Sequence, residues 1–321
     1  MKADLIMKCK LLPVSGIALV ALLSSGTVLA EDVPGFQGVL GHMRLPQFLH
    51  DALRLAAWLL PLALVFMPLE HFFARRPSRL RDNAILQNLS FYFINGLVPG
   101  LVLAVPLSLV AYGASLALPE QVHISVASWT LWTRVAIGLV VNEVGTYWGH
   151  RMTHAVPFLW RFHSIHHSPE RMYFLTSTFA HPIDKIVLRV CGLAPVYLLG
   201  IASPFTPDGR AVSAMLLLVL YLWGFFIHSN LKWRFGSLEW IFATPGFHHW
   251  HHTRTDHRDR NFSPMLPAVD WLFGTLYLPD KRWPTEYGIE VAMPNTLGGR
   301  LLHPFRGLAL LNSLPRRPNI G

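Results

Sequence analysis

Charge is scarce in this sequence. Only 14% of its 321 residues are Asp, Glu, Lys or Arg, while 52% are hydrophobic, against about 25% charged in an ordinary soluble domain. Its apolar residues come in blocks rather than in amphipathic stripes, so lipid, not water, is the expected solvent. Cysteine is scarce as well. Cys9 and Cys191 are the two present, too few for a disulfide framework or a thiolate metal site. The motifs HExxH and GxSxG are absent, which argues against a membrane metallohydrolase. Residues 113–129 contain no Lys or Arg at all.

The charge that is present is basic, with a formal net of +9. It sits beside apolar blocks, as in Arg75, Arg76, Arg79 and Arg81. That placement reads as the cytoplasmic flank of membrane helices and not as a nucleic-acid footprint, so no nucleic-acid partner is expected.

Residues 1–30 read as a secretory signal peptide or an uncleaved first membrane helix. Lys2, Lys8 and Lys10 precede the apolar run Leu11 to Leu23, and Val28 and Ala30 give a small-residue cleavage pattern. Further apolar blocks at 52–70, 88–112, 130–149, 186–203 and 211–228 approach the roughly 20 residues a span needs. Pro99, Gly100 and Pro106 suggest a kink or a re-entrant hairpin in the second of them. The expected fold is all-α, an integral membrane bundle of about four to six membrane helices with a histidine-rich helical cap. The positive-inside rule puts the 71–86 loop in the cytoplasm, and alternation carries the histidine segments to the same face of an inner or plasma membrane. The expected organisation is a membrane catalytic domain over 45–285 and a C-terminal tail over 286–321, with Pro315-Arg316-Arg317-Pro318 near its end.

Histidine is the residue in excess. There are 17, and 12 of them lie between His150 and His257. His150 and His154 are spaced i, i+4, which places both imidazoles on one helical face. His163, His166 and His167 are spaced i, i+3, i+4, and His248, His251 and His252 repeat that pattern. His228 closes the last apolar block, and His181 precedes Pro182. Neutral imidazole binds iron, zinc, copper and nickel, and one metal rarely takes more than three or four protein nitrogens. The nine nitrogens of the boxes and His228 suffice for two metals with positions left open. His181 is a further candidate ligand. Metal-bound imidazoles usually donate their other N–H to a carboxylate or carbonyl, and Glu143, Asp184 and Asp270 are the candidate acceptors. His249 and His257 fall outside the ligand spacing and are expected either to support the ligands or to be solvated, rather than to bind metal.

The boxes and their order resemble the fatty acid hydroxylase/sterol desaturase superfamily of membrane di-iron enzymes. Glu143-Val144-Gly145-Thr146-Tyr147-Trp148-Gly149-His150-Arg151 is similar to that family's opening motif, and Leu159-Trp160-Arg161-Phe162-His163 leads into the second box as in its members. His181-Pro182-Ile183-Asp184 resembles a segment of sterol carbon-5 desaturases. Asn261-Phe262 and Asp270-Trp271-Leu272-Phe273-Gly274-Thr275 resemble the closing motif, though Asn261-Phe262-Ser263 departs from the more usual Asn-Tyr-Gly. Some members carry another histidine where this chain has Gly224. The resemblance covers about residues 50–280. It implies two iron ions (zinc being possible in isolated protein), O2 as co-substrate, and hydroxylation or desaturation of a sterol-like, fatty-acyl or ether lipid. It also implies a separate electron donor, a cytochrome, ferredoxin or reductase, for which Arg151, Arg161, Arg171 and Lys185 offer a docking surface. The alternatives are a histidine-rich membrane metal carrier and a non-catalytic metal-binding membrane protein. Carriers place their ligands near the bilayer midplane, whereas here the histidines gather at one end.

Overall fold

A computed structural model describes residues 46–76, 82–254, 257–280 and 282–306. The expectations for residues 1–30, for Arg79 and Arg81, and for the last residues of the tail lie outside these. Ten α-helices follow in order: α1 Gln47–Phe73, α2 Asp82–Ala117, α3 Glu120–Ser128, α4 Leu131–Ala155, α5 Pro157–His167, α6 Pro182–Leu198, α7 Pro207–His228, α8 Pro245–His251, α9 Pro267–Leu272 and α10 Leu297–Leu302. Short 3-10 turns at Phe174–Thr178, Gly236–Trp240 and His303–Phe305 link them. Among the described residues the only β pairings are two isolated bridges, so the fold is all-α.

Proline opens five of the ten described helices. Pro157, Pro182, Pro207, Pro245 and Pro267 each open a helix, where the missing N–H costs nothing and the fixed φ is already helical. Threonine caps four helix starts, two of them directly ahead of those prolines, with Thr130, Thr206, Thr244 and Thr296 accepting from Thr133 N, Gly209 N, Phe247 N and Gly299 N.

Among the described residues three segments are long and apolar enough to cross a membrane: Phe48–Phe73, Ala84–Ala117 and Pro207–His228. A fourth exists if α3 and α4, bent by 114° at their junction, form one broken span. Two expectations change here. The 88–112 block is one continuous helix despite Pro99 and Pro106, and the break falls instead at Trp129–Thr130, in a stretch read from sequence as a loop. The 186–203 block is α6, whose 17 residues reach about 26 Å at 1.5 Å per residue, short of the roughly 30 Å hydrocarbon core. Its first two turns also carry Asp184, Lys185 and Arg189. The stretch assigned to the tail is structured as far as Arg306, and α10 lies over the histidine helices, with the Arg300 guanidinium donating to Ser168 Oγ at 2.7 Å.

α6 packs against α4 at very close range. A Cβ on Gly145 would stand 2.1 Å from the Cys191 carbonyl oxygen, one on Gly149 2.6 Å from Cys191 Cβ, and one on Gly192 2.5 Å from Thr146 Oγ1. Small residues let the backbones approach, and this approach sets the distance from the His150 end of α4 to Asp184 on α6. Gly145→Ala is therefore expected to push the helices apart at a cost of about 1–3 kcal/mol or more. A thermal melt of the purified variant checks this, with a lowered Tm and weakened metal retention as the expected outcome.

Candidate metal centre

The helix ends deliver the histidines to one place. Val156-Pro157 breaks the chain between α4 and α5 and turns His163 and His167 back towards His150 and His154. His228 arrives at the last residue of α7, and His248, His251 and His252 come from the single short helix α8 and its cap. The result is two neighbouring groups. His150, His154, His163, His167 and His251 form one, and His166, His228, His248 and His252 form the other; the ligand atoms within each group lie within 4.8 Å of one another. All nine side chains are buried. The i, i+3, i+4 boxes split between the groups. In the second box His163 and His167 go one way and His166 the other, and in the third box His251 separates from His248 and His252.

Within the groups the imidazoles meet nitrogen to nitrogen. His150 Nε2 lies 3.1 Å from His163 Nε2, and His228 Nε2 lies 3.3 Å from His166 Nε2. Neither contact is a hydrogen bond. His150 Nδ1 is 2.6 Å from the Phe262 carbonyl and His163 Nδ1 is 2.8 Å from Asp184 Oδ1. His228 Nδ1 is 2.7 Å from the Gly224 carbonyl and His166 Nδ1 is 3.1 Å from the Phe179 carbonyl. Carbonyl and carboxylate oxygens only accept, so each Nδ1 carries the proton and each Nε2 a lone pair. Lone pairs facing at that distance repel unless a cation lies between them. Metal–imidazole bonds of about 2.0–2.1 Å put neighbouring ligand nitrogens about 2.9–3.4 Å apart, the spacing seen in both groups. His251 fits the same pattern: its Nδ1 donates to the Arg260 carbonyl at 2.8 Å, and its Nε2 is buried without a protein partner. The donor set is all imidazole, which suits iron, zinc, copper or nickel over magnesium or calcium.

The supporting partners differ in part from expectation. Asp184 holds His163 directly, as its placement suggested. Asp270 acts one step further out, with Oδ1 accepting from Phe262 N at 2.8 Å and Oδ2 from Ser263 N at 2.8 Å, so that it steadies the carbonyl that His150 uses. Glu143 shares a helix face with His150 but does not reach it; its Oε1 accepts from Met265 N and Leu266 N at 2.7 Å each and anchors the loop before α9. His249 bonds the Tyr287 hydroxyl at 2.9 Å and the Ser229 carbonyl at 3.1 Å, bracing the turn after His228. His181 stands outside both groups. It caps α6, its Nδ1 accepting from Ile183 N at 3.1 Å while its Nε2 donates to the Leu301 carbonyl at 3.1 Å, so no lone pair is left for a metal. Lys185, grouped by sequence with a docking surface, points inward to the Ser177 carbonyl, because the Phe174–Thr178 turn covers that side of α6.

Sequence reasoning missed Asp259, whose Oδ1 lies 2.8 Å from His154 Nδ1. It sits seven residues after the third box in a loop with no periodicity to mark it. The backbone carbonyls of Phe179, Gly224, Arg260 and Phe262 were beyond sequence reading altogether. Asn261 prepares the last of them: it adopts a left-handed φ of 57°, tolerated by Asn better than by most residues. Its amide donates to the Phe247 and Tyr277 carbonyls at 2.9 and 2.7 Å.

Burial holds the imidazoles outside the membrane-length helices neutral. Desolvation, then the neighbouring histidines, lowers His167, His248 and His252 well below the ordinary histidine range. For His251 the neighbours after desolvation are His150 and His163. These groups bind protons less readily folded than unfolded. The metal-free protein is thus expected to keep its stability above about pH 6.5 and to lose it as pH falls below that value, by about 1.4 kcal/mol per pH unit for each such group. Tm measured between pH 8 and 5 on chelator-treated protein checks the slope.

The sequence profile of the fatty acid hydroxylase family matches residues 135–275, a range that contains all nine histidines. The ornithine lipid hydroxylase OlsE of Rhizobium tropici is 34% identical over 197 residues, 61% of this chain and 57% of that protein. The alkylglycerol monooxygenase of Xenopus tropicalis is 33% identical over 154 residues, 48% of this chain and 31% of that protein. Methylsterol monooxygenase 2-2 of Arabidopsis thaliana is 24% identical over 184 residues, 53% of this chain and 62% of that protein. The chain spans less than two thirds of the length of each of these relatives. No solved structure matches. The family match over residues 135–275, the relatives and the histidine arrangement together support the fatty acid hydroxylase/sterol desaturase superfamily for this chain.

Proposed function

We propose that this chain is a multi-pass membrane enzyme that uses two iron ions and O2 to hydroxylate a lipid, with electrons from a separate donor protein. The observation that carries the reading is the pair of adjacent, buried all-imidazole groups whose nitrogens face one another at metal-ligand spacing. His150, His154, His163, His167 and His251 are the ligands of one metal; His166, His228, His248 and His252 are those of the other. Bound iron supplies the redox chemistry that joins one oxygen atom of O2 to an unactivated carbon, with two electrons and two protons taking the second atom to water.

The protein's own part is positioning and exclusion. Asp184, Asp259 and four backbone carbonyls fix the ring orientations and direct every pinned Nε2 inward. His163, His167, His251 and His252 have no accessible surface, so bulk water does not reach them and oxidising power is not spent on solvent. The membrane-length helices α2 and α7 run up to the centre and bring a lipid chain to it. The names of the relatives, hydroxylase and monooxygenase, favour hydroxylation over desaturation. The histidine-bearing ends face the cytoplasm, where a soluble reductant can reach them.

The test is oxygen uptake by iron-loaded protein in nanodiscs of bacterial lipid, with a chemical reductant and 18O2. Lipid gaining a single 18O, in step with O2 consumed, is the expected result. Folded, iron-loaded protein with no lipid-dependent uptake and no labelled lipid would overturn the reading.

A further inference from the structure

Two cations stand beside the centre with no assigned task. Lys185 and Arg189 are one turn apart on α6, on the side turned towards the Phe174–Thr178 turn, α2 and α7. The Lys185 ammonium donates to the Ser177 carbonyl at 2.9 Å. The Arg189 guanidinium reaches the Asn95 carbonyl at 3.5 Å and lies 5.2 Å from the centre of the Tyr221 ring. Both side chains are surrounded by protein yet keep some accessible surface. None of the ion pairs among the described residues includes either of them. Asp184, next in sequence to Lys185, has its Oδ1 committed to His163 and offsets part of the Lys185 charge without bonding it, which leaves Arg189 without an acid.

This is an expensive arrangement as it stands. Like charges at i, i+4 repel even on an exposed helix, and a cation taken out of water without an acid partner is costly. Three donors of Lys185 and five of Arg189 are answered by one carbonyl each. What the pair lacks is an anion within hydrogen-bond distance. Ionisable groups among membrane helices mark substrate paths more often than they serve packing.

The pair is also close to the metal ligands through two separate links. Asp184 ties the first turn of α6 to His163 at 2.8 Å. Ser177, whose carbonyl Lys185 holds, packs its hydroxyl against Gly224, where a Cβ would stand 2.8 Å from Ser177 Oγ, and the Gly224 carbonyl holds His228. Lys185 thus lies beside the supports of both histidine groups. Arg189 lies about 6 Å further along the helix, among residues of the membrane-length helices α2 and α7.

We propose that Lys185 and Arg189 bind the oxyanion, a carboxylate or a phosphate, at the polar end of the lipid substrate. The proposal rests on the oxygenase reading and narrows it to an anionic amphiphile. An oxyanion held there lies beside the supports of both histidine groups, so the carbon oxidised is near the polar end and not at mid-chain.

Binding without turnover tests this. Full-length, metal-loaded protein in neutral detergent is titrated with palmitate, hexadecyl phosphate and hexadecanol, which share a chain and differ in charge. At least one of the two anions is expected to bind about tenfold or more tightly than the alcohol, the worth of one or two charge-assisted hydrogen bonds; the stronger of the two identifies the oxyanion. The double variant Lys185→Met, Arg189→Met is expected to abolish the preference while holding its metal. If that variant loses metal, Lys185→Gln with Arg189→Gln, which keeps a donor for each carbonyl, replaces it. Equal binding of all three probes by the native protein, or a preference that survives in the double variant, overturns the proposal. Either outcome leaves the oxygenase reading standing, because that reading falls only on oxygen uptake and label incorporation.

Discussion

Replacing His248 with alanine is expected to remove one metal of two and all measurable lipid oxidation, while His249→Gln, one residue away, keeps both metals. His248 belongs to the smaller group, where its Nε2 lies 3.1 Å from those of both His228 and His252. Its loss leaves three imidazoles, His166, His228 and His252, and opens a cavity at the middle of the set. The group of five has all its ligands intact and retains its metal. His249 is equally buried, but its nitrogens serve Tyr287 and Ser229, and glutamine keeps hydrogen bonds to both. Activity in His248→Ala should fall beyond the roughly 100-fold that a change to a ligand's hydrogen-bond partner reaches, because the reaction needs both metals. Metal analysis of the two variants, alongside oxygen uptake, separates ligand from neighbour. Equal metal loss in both would show that burial rather than ligation governs retention.

The second large effect is expected at Asp184. Its Oδ1 accepts from His163 Nδ1 at 2.8 Å with both side chains fully buried, and this carboxylate makes the imidazole a better donor to metal. Asp184→Asn removes the charge and lets the amide turn its NH2 towards His163, which would force the proton to Nε2 and take away the lone pair. A fall of about 10–100-fold in metal affinity or activity is the expected outcome, read by competition with a chelator. Asp259→Asn provides the contrast. It makes the same 2.8 Å contact to His154, but its side chain is 31% exposed, so water screens the pair and can replace the lost charge. Its effect should be smaller. Equal effects would mean that the charge of the acid, and not its sealed position, orients the ring.

The sequence carried the ligands and little of what aims them. The i, i+4 and i, i+3, i+4 spacings named eight of the nine histidines that the fold brings together, because those spacings survive as helices α4, α5 and α8, and the end of the last apolar block marked His228. How they divide was not legible. The split of the second box between two groups depends on the angle at Val156-Pro157 and on where α7 ends, which are tertiary facts. His181 had the right residue type and neighbourhood, but the following proline makes it a helix cap, and the cap uses the lone pair a metal would need. Glu143 had the right face, yet two free N–H groups ahead of α9 claimed it. Backbone carbonyls fix the rings of His150, His166, His228 and His251, and no side-chain pattern announces a carbonyl. Membrane helices were legible as apolar blocks, but the shortness of α6 and the 114° bend before α4 were not, because hydropathy does not report how a segment turns.

The cage also weighs against the carrier alternative on physical grounds. Metal exchange needs ligands that solvent or a partner can approach, and four of the nine histidines have no accessible surface. The acids and carbonyls that hold the other ring nitrogen of six of the nine restrict ring rotation as well. Such a geometry favours retention of a metal over its exchange.

The most direct test of the paired-metal account is the metal content of the gently solubilised full-length chain, reconstituted with iron under anaerobic conditions and freed of excess metal. Two groups of imidazoles, each with nitrogens at coordination spacing, predict about two iron ions per folded chain, since one metal rarely takes more than three or four protein nitrogens. Folded protein that retains one iron or none under these conditions would contradict it.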